Sequence, residues 1–73
     1  MKKLVEKYNG MSTYVDLKRN KLSMSDYYML GDMLTDMIDG QIVSTIYQNV
    51  ALWFKRNGAK VTKIPSGWKV EVK

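Results

Sequence analysis

The chain has 73 residues, no cysteine and no histidine, so it can form one small domain without disulfides and without thiolate or imidazole metal ligands. Its formal net charge is +5, from 12 Lys and Arg against 7 Asp and Glu. No stretch of the sequence is apolar enough for a membrane span or a signal peptide, so we expect a cytoplasmic domain formed by residues 1–73.

The charges are distributed unevenly along the chain. Residues 1–21 carry six basic and two acidic side chains, a balance of +4. Residues 22–54 carry four aspartates and no base, and residues 55–73 carry six bases and one acid. Two basic ends around an acidic middle indicate surfaces of opposite sign.

The N-terminal third of the chain predicts a short helix and then a strand. The helix covers residues 2–8, where apolar side chains recur at helical spacing until Asn9 and Gly10 end it. Residues 12–18 predict a half-buried strand, because polar side chains alternate there with Thr13, Val15 and Leu17. A helix through Leu17 is the alternative for this segment.

A long helix is predicted to begin after Ser23 and to run from Ser25 to Ile38. Ser23 is suited to the N-cap, and Asp26 occupies the third helical position. Gly31 marks either the close approach of another element or a tolerated cost of up to about 1 kcal/mol relative to Ala. The inner face of this helix would hold Tyr27, Leu30, Met33, Leu34, Met37 and Ile38. Its outer face would hold Asp32, Asp36 and Asp39, spaced i, i+4 and i+7.

The next segment, Gln41 to Arg56, is predicted to be a single core helix. At 100° per residue one broad arc of this helix is apolar, which is typical of a helix packed on two neighbours. The arc comprises Ile42, Val43, Ile46, Tyr47, Val50, Trp53 and Phe54. Lys55, Arg56 and Gly58 are suited to its C-terminal end.

Residues 59–73 predict a β-hairpin, since Trp68, Val70 and Val72 alternate with charged side chains. A two-residue loop at Ser66 and Gly67 would place Val61 opposite Val72. The predicted fold class is therefore α+β, with two central helices packed on the hairpin and residues 12–18 as a third strand of the sheet.

Catalytic chemistry has little support in this sequence. General acid–base and covalent catalysis commonly use His, Cys or an activated Ser, whereas the serines here fall in predicted caps and turns. An aspartate row on one helix face cannot surround a metal ion. We therefore expect no enzymatic activity, no metal site and no cofactor.

The predicted order of elements is helix, strand, helix, helix, strand, turn, strand, with IVSTIYQNVALWFKRNGAKV as third helix and first wing strand and SGWKVEV as the return strand. This order resembles that of a winged helix–turn–helix domain over nearly the whole chain. The resemblance implies a third helix in the major groove of DNA and a wing on the backbone. By position, the side chains facing bases would be Gln41, Ser44, Thr45 and Gln48. Those meeting phosphates would be Lys55, Arg56, Lys60, Lys63 and Lys69.

Two other functions fit the same pattern. The acidic helix face could bind a basic groove on another protein, as small phage and mobile-element inhibitors do, through Tyr28, Met29, Asp32, Asp36 and Asp39. Alternatively, the chain is a structural subunit whose charges only keep it soluble. A domain of this size would also gain buried surface from a homodimer or a bound partner. Non-enzymatic binding of nucleic acid is the leading hypothesis, and a protein-binding inhibitor or adaptor is the alternative.

Overall fold

The computed structural model describes residues 2–11 and 13–72. Within them the chain forms four helices and three strands, which confirms the α+β class. In chain order the elements are α1 Lys2–Gly10, α2 Tyr14–Arg19, α3 Met24–Ile38, β1 Val43–Thr45, α4 Gln48–Arg56, β2 Lys60–Ile64 and β3 Gly67–Glu71. None of the described helices is long and apolar enough to cross a membrane.

The three strands form an antiparallel sheet in the order β1-β3-β2, so the last strand of the chain is the central one. Val43, Val70 and Val61 are aligned across the sheet and belong to the core or pack against it. Helix α4 contacts all three strands, and α3 packs on α4 and on β1. The neighbouring row of Ser44, Lys69 and Thr62 projects from the opposite face.

The core lies between the two central helices and the sheet. Trp53 and Phe54 of α4 are fully buried there and meet edge to face, with ring centroids 5.2 Å apart. Buried side chains from α1, from α2 and from the loops complete the core: Leu4, Met11, Leu17, Leu22 and Ala59. Stable helices in so small a domain thus depend on shared burial rather than on intrinsic propensity.

Helix α1 docks on α3 through an aromatic contact. The ring of Tyr8 stacks on that of Tyr27, with centroids 4.6 Å apart and planes 12° apart. A Cβ atom added at Gly31 would lie 2.6 Å from the hydroxyl oxygen of Tyr8. Of the two predicted explanations for Gly31, the close approach of another element is confirmed.

The segment predicted as a strand at 12–18 is a helix, so the alternative through Leu17 was right. The hydroxyl of Thr13 accepts a hydrogen bond from the Asp16 backbone N–H at 3.2 Å, which caps the first turn of α2. Leu17 is buried but Val15 is exposed, as the helical period requires. Ser12, at the start of the predicted strand, lies outside the described residues.

The predicted core helix is wrong over its first half, because α4 begins only at Gln48 and the preceding segment forms β1. Four of the five side chains from Ile42 to Ile46 are β-branched, which favours an extended chain. The hydroxyl of Thr45 accepts a hydrogen bond from the Tyr47 N–H at 3.0 Å where the chain turns into α4. Ile42, Ile46 and Tyr47, expected inside, are exposed.

The C-terminal hairpin is confirmed, but its register differs from the prediction. Ile64 pairs with Gly67, so the loop is Pro65-Ser66, and Val61 lies opposite Val70 rather than Val72. Gly67 has φ 142°, and a Cβ atom there would overlap the carbonyl oxygen of Thr45. Only glycine therefore fits at the start of β3, where its backbone lies against the end of β1. Lys73, the last residue of the predicted hairpin, lies outside the described residues.

The helix predicted to end at about Ile38 does end there, and Ser23 and Asp26 form a capping box at its start. Ile38 itself is exposed, so its assignment to the inner face is wrong. The third strand of the sheet comes from between the two central helices and not from residues 12–18. The winged-helix resemblance as a whole stays a prediction.

Candidate nucleic-acid interface

Helix α4 is a shortened form of the core helix that was predicted from Gln41 to Arg56 and expected to enter the major groove. Its exposed side carries Gln48, Asn49, Leu52, Lys55 and Arg56, which recur every three or four residues. Gln48, Lys55 and Arg56 of the predicted site therefore share one exposed side of a helix. Asn49 joins them, although the sequence pattern had not singled it out.

The other three residues predicted to face bases are not on this helix. Gln41 lies in the connection between α3 and β1, and Ser44 lies in β1, where both are exposed. Thr45 is only 3% exposed, and its hydroxyl oxygen is occupied by the Tyr47 N–H. Their predicted placement on a helix face is therefore wrong, and Thr45 has almost no surface to offer a ligand.

Two of the hairpin lysines are engaged within the chain. The Lys63 ammonium lies 4.7 Å from the centroid of the Trp68 ring and donates to the carbonyls of Ile64 and Gly67, at 3.0 and 3.3 Å. Lys69 forms an ion pair with Glu71 at 3.4 Å. Among the predicted phosphate contacts, Lys55, Arg56 and Lys60 have no carboxylate partner within 4.0 Å in the described part of the chain.

A shallow depression of about 170 Å³ lies between α4 and the hairpin. Leu52 and Val61 contribute apolar surface, and half-buried Trp68 closes one side. Lys55 and Lys63 contribute one cation from each of the two elements, and Ala51 completes the lining. The exposed side of α4 and the hairpin thus form one continuous surface that is apolar at its centre and basic at its margin.

The structure also brings together basic segments from opposite ends of the sequence. The Arg56 guanidinium, at the end of α4, donates to the carbonyl of Asn20, at the end of α2, at 3.1 Å. Beside this contact lies a wider depression of about 670 Å³ between α1, α2 and α4, floored by Trp53 and Met11. Its remaining lining is Lys3, Glu6, Lys7, Gly10, Asp16, Arg19, Asn20 and Asn57. We call this region, with Arg56 at its edge, the basic depression.

Sequence reasoning did not assign Lys3, Lys7 or Arg19 to a site. The charge balance of residues 1–21 was a signal that they belong to a basic region. Their proximity to the end of α4 depends on how α1 and α2 pack over Trp53, which no local pattern specifies. With Arg56 they supply four positive charges, against Glu6 and Asp16.

Few of these charges are neutralised by ion pairs. Ten of the eleven Lys and Arg residues between positions 2 and 72 are exposed. Within the same residues the single ion pair is that of Lys69 with Glu71. Exposed cations without a carboxylate partner keep their attraction for external anions, and salt screens that attraction over about 10 Å at 0.1 M.

Three of the acidic side chains lie along the outer face of α3 and at its C-cap. Asp32, Asp36 and Asp39 are all exposed, as predicted, and so is Tyr28. Met29 is half-buried and packs against the core, so it offers little surface to a partner. Helix α3 has no basic residue in its last turn. Among the described residues no three acidic side chains lie close enough together to hold a metal ion.

Comparison with protein-family models, with curated proteins and with solved structures finds no match to this chain. Its function is therefore inferred from its own side chains and their surroundings.

Proposed function

We propose that the chain is a non-enzymatic domain that binds the phosphate backbone of nucleic acid through the surface around the end of α4. The observation that supports this proposal is the meeting of the two basic ends of the sequence at the basic depression, where Arg56 contacts Asn20. When several cations on one surface contact DNA phosphates, they release the counterions bound to those phosphates. This release favours binding whatever the base sequence.

The dimensions of the molecule limit the length of duplex that it covers. Its largest extent is 31 Å, and one turn of B-DNA is about 34 Å long, so one copy spans at most about one turn. Within that turn Lys55 and Arg56 would meet phosphates. Gln48 and Asn49, exposed in the first turn of α4, carry amides suited to adenine edges in the major groove.

The first test is fluorescence anisotropy of a labelled random duplex at low and at physiological salt. We expect micromolar affinity at low salt and a steep loss as the salt concentration rises. Absence of binding at low salt, or affinity that does not depend on salt, would contradict the proposal.

Matched variants locate the contacts. Lys7→Gln removes an unpaired cation at the basic depression, and Lys69→Gln removes one that is already paired with Glu71. We expect Lys7→Gln to lower the salt slope by about 1 and Lys69→Gln to change it less. The combined Lys7→Gln, Arg19→Gln and Lys55→Gln variant should lose at least about tenfold in affinity. Equal effects of the two single variants would place the contacts elsewhere.

A second candidate function is binding of a basic protein surface through α3. Asp36 and Asp39 lie at the C-terminal end of this helix, where the backbone dipole disfavours negative charge. A partner that supplies cations would remove this cost. The combined Asp32→Lys and Asp36→Lys variant distinguishes the two functions, since it should abolish binding to such a partner but preserve or strengthen binding to duplex.

A further inference from the structure

The two edges of the sheet differ in their protection against pairing with another chain. Edge strand β2 carries Lys60 and Lys63, and Pro65 follows it directly. Lysine and proline are the residues with which proteins block exposed strand edges. Edge strand β1 has neither, because residues 40–54 contain no charged side chain and no proline. On both sides of β1 an isoleucine faces solvent: Ile42 is 63% exposed and Ile46 is 71% exposed.

The backbone of this edge is available for pairing. Apart from the ladder to β3, no backbone–backbone hydrogen bond within the described chain involves residues 42–46. The Thr45 carbonyl points toward β3, since it lies against Gly67. The N–H and C=O groups of successive residues point to opposite edges of a strand, so those of Ser44 point to the open edge.

We propose that β1 pairs with β1 of a second copy of this chain, in an antiparallel arrangement centred on Ser44. The sequence Ile42-Val43-Ser44-Thr45-Ile46 reads almost the same in both directions, with Val and Thr of similar shape at the mirror positions. A two-fold axis at Ser44 places Ile42 opposite Ile46 of the second copy, and Ile46 opposite its Ile42. Such a self-complementary contact is what a two-fold symmetric dimer requires.

Charge and geometry favour a second copy as the occupant. A molecule of net charge +5 repels its own copies, but this uncharged segment allows two edges to approach without like charges in contact. Strand β1 is extended over Val43 to Thr45, the three residues on which the pairing is centred, and the chain bends at Ile46 before it enters α4. The dimer would carry a continuous six-stranded sheet in the order β2-β3-β1-β1-β3-β2.

Sedimentation equilibrium of the full chain over a wide concentration range tests the proposal. We expect a monomer–dimer equilibrium whose dissociation constant rises at least about tenfold in Ile46→Lys, because a lysine on the edge blocks pairing. Val15→Lys in α2 is the matched control, since Val15 is 62% exposed and distant in sequence from β1. Circular dichroism establishes that both variants fold.

A cysteine variant tests the register, because the natural chain contains no cysteine. In the proposed pairing the two Ser44 Cα atoms lie about 5.5 Å apart, within the range that a disulfide spans. Under mild oxidation Ser44→Cys should form covalent dimer much faster than Thr62→Cys on the other edge strand.

A monomer at every concentration would overturn the proposal and leave the β1 edge for a strand of another protein. Equal weakening of the dimer by Ile46→Lys and Val15→Lys, or equal cross-linking of the two cysteine variants, would also overturn it. These experiments contain no nucleic acid, so their outcome is independent of the function proposed above.

Discussion

The two central helices differ at both of their ends. Helix α3 begins with a reciprocal capping box between Ser23 and Asp26 and ends without a basic residue. Helix α4 begins at Gln48 after the N-cap residue Tyr47, which makes no side-chain capping hydrogen bond, and it ends with Lys55 and Arg56. The start of α3 and the end of α4 thus follow the local rules for helix termini, whereas the end of α3 and the start of α4 do not.

This difference helps to separate charges that stabilise their own helix from charges that indicate a binding partner. Lys and Arg in the last turns of α1, α2 and α4 stabilise the helices that carry them. The convergence of Lys7, Arg19 and Arg56 around the basic depression, rather than the number of cations, therefore supports a binding surface. The carboxylates at the end of α3 have no such local benefit.

Core truncations should show the largest effect and should affect both helices alike. Leu30 in α3 and Phe54 in α4 are both fully buried. Leu30→Ala should cost about 2–5 kcal/mol and Phe54→Ala about 3–5 kcal/mol in the free energy of unfolding. This is comparable with the whole stability of a domain of this size, about 4–10 kcal/mol. Urea unfolding followed by circular dichroism measures it, with exposed Leu52→Ala as the control in α4. A large effect in one helix alone would show that the helices do not share one core.

Loss of the α3 cap should have an intermediate effect. Ser23→Ala removes the acceptor of the Asp26 N–H hydrogen bond, which is 3.1 Å long, and should destabilise the fold by about 1 kcal/mol. Ser25→Ala, two residues further on and exposed, is the matched control. If the two variants had the same unfolding midpoint in urea, the capping box would not contribute to the stability of α3.

Neutralising the charged side chains at the C-terminal ends of α3 and α4 should have smaller effects on stability, and the two helices should change in opposite directions. The combined Asp36→Asn and Asp39→Asn variant should stabilise the fold by about 0.3–1 kcal/mol, because it relieves the unfavourable dipole interaction. Lys55→Gln should destabilise it by a similar amount or less. Thermal unfolding at low salt measures both shifts, and 1 M salt should reduce them. A destabilising effect of the aspartate changes would mean that these carboxylates have a partner within the chain.

The smallest expected effect is the dependence of stability on the protonation of Tyr8, which packs on α3. Burial, together with the nearby Tyr27 side chain and the negative charge of Asp32, raises the pKa of Tyr8 to about 12. Because the unfolded value is 10.0, the folded state retains this proton longer. The resulting stability is complete below pH 10 and is lost as the pH rises toward 12. Absorbance titration at 295 nm of the natural chain and of Tyr8→Phe isolates this group. A difference curve with its midpoint near 10 would contradict the docked position of Tyr8.

The same two helices show how much of the fold could be predicted from the sequence. Helix α3 was predictable because the cap at Ser23 and the apolar period agree. The start of α4 has no cap signal, so the apolar spacing also predicts a helix from Ile42 to Ile46. The β-branched side chains of that segment favour a strand, and this preference decides the structure. In residues 12–18 the alternation of Thr13, Val15 and Leu17 predicts a strand. The structure instead caps a helix there, through the hydrogen bond from the Asp16 N–H to the Thr13 hydroxyl.

The candidate site was predictable only as a set of charges. The sequence indicates which segments are basic and which helix face is acidic. It does not indicate that Lys63 and Lys69 are engaged within the hairpin, because those contacts depend on the register of β2 and β3. Nor does it indicate that Arg56 reaches Asn20, since that contact joins residues 36 positions apart.

The position of β3 at the centre of the sheet has a consequence for synthesis on the ribosome. Both edge strands pair with β3 alone, and β3 follows them in the chain. No strand pairing can therefore form until residues 67–71 have left the exit tunnel. Until then the apolar side chains of α4 that pack on the sheet remain without their partner. We expect the sheet to form cooperatively after the last strand emerges, with β2 joining it through a two-residue loop before β1, which must close the longer connection through α4.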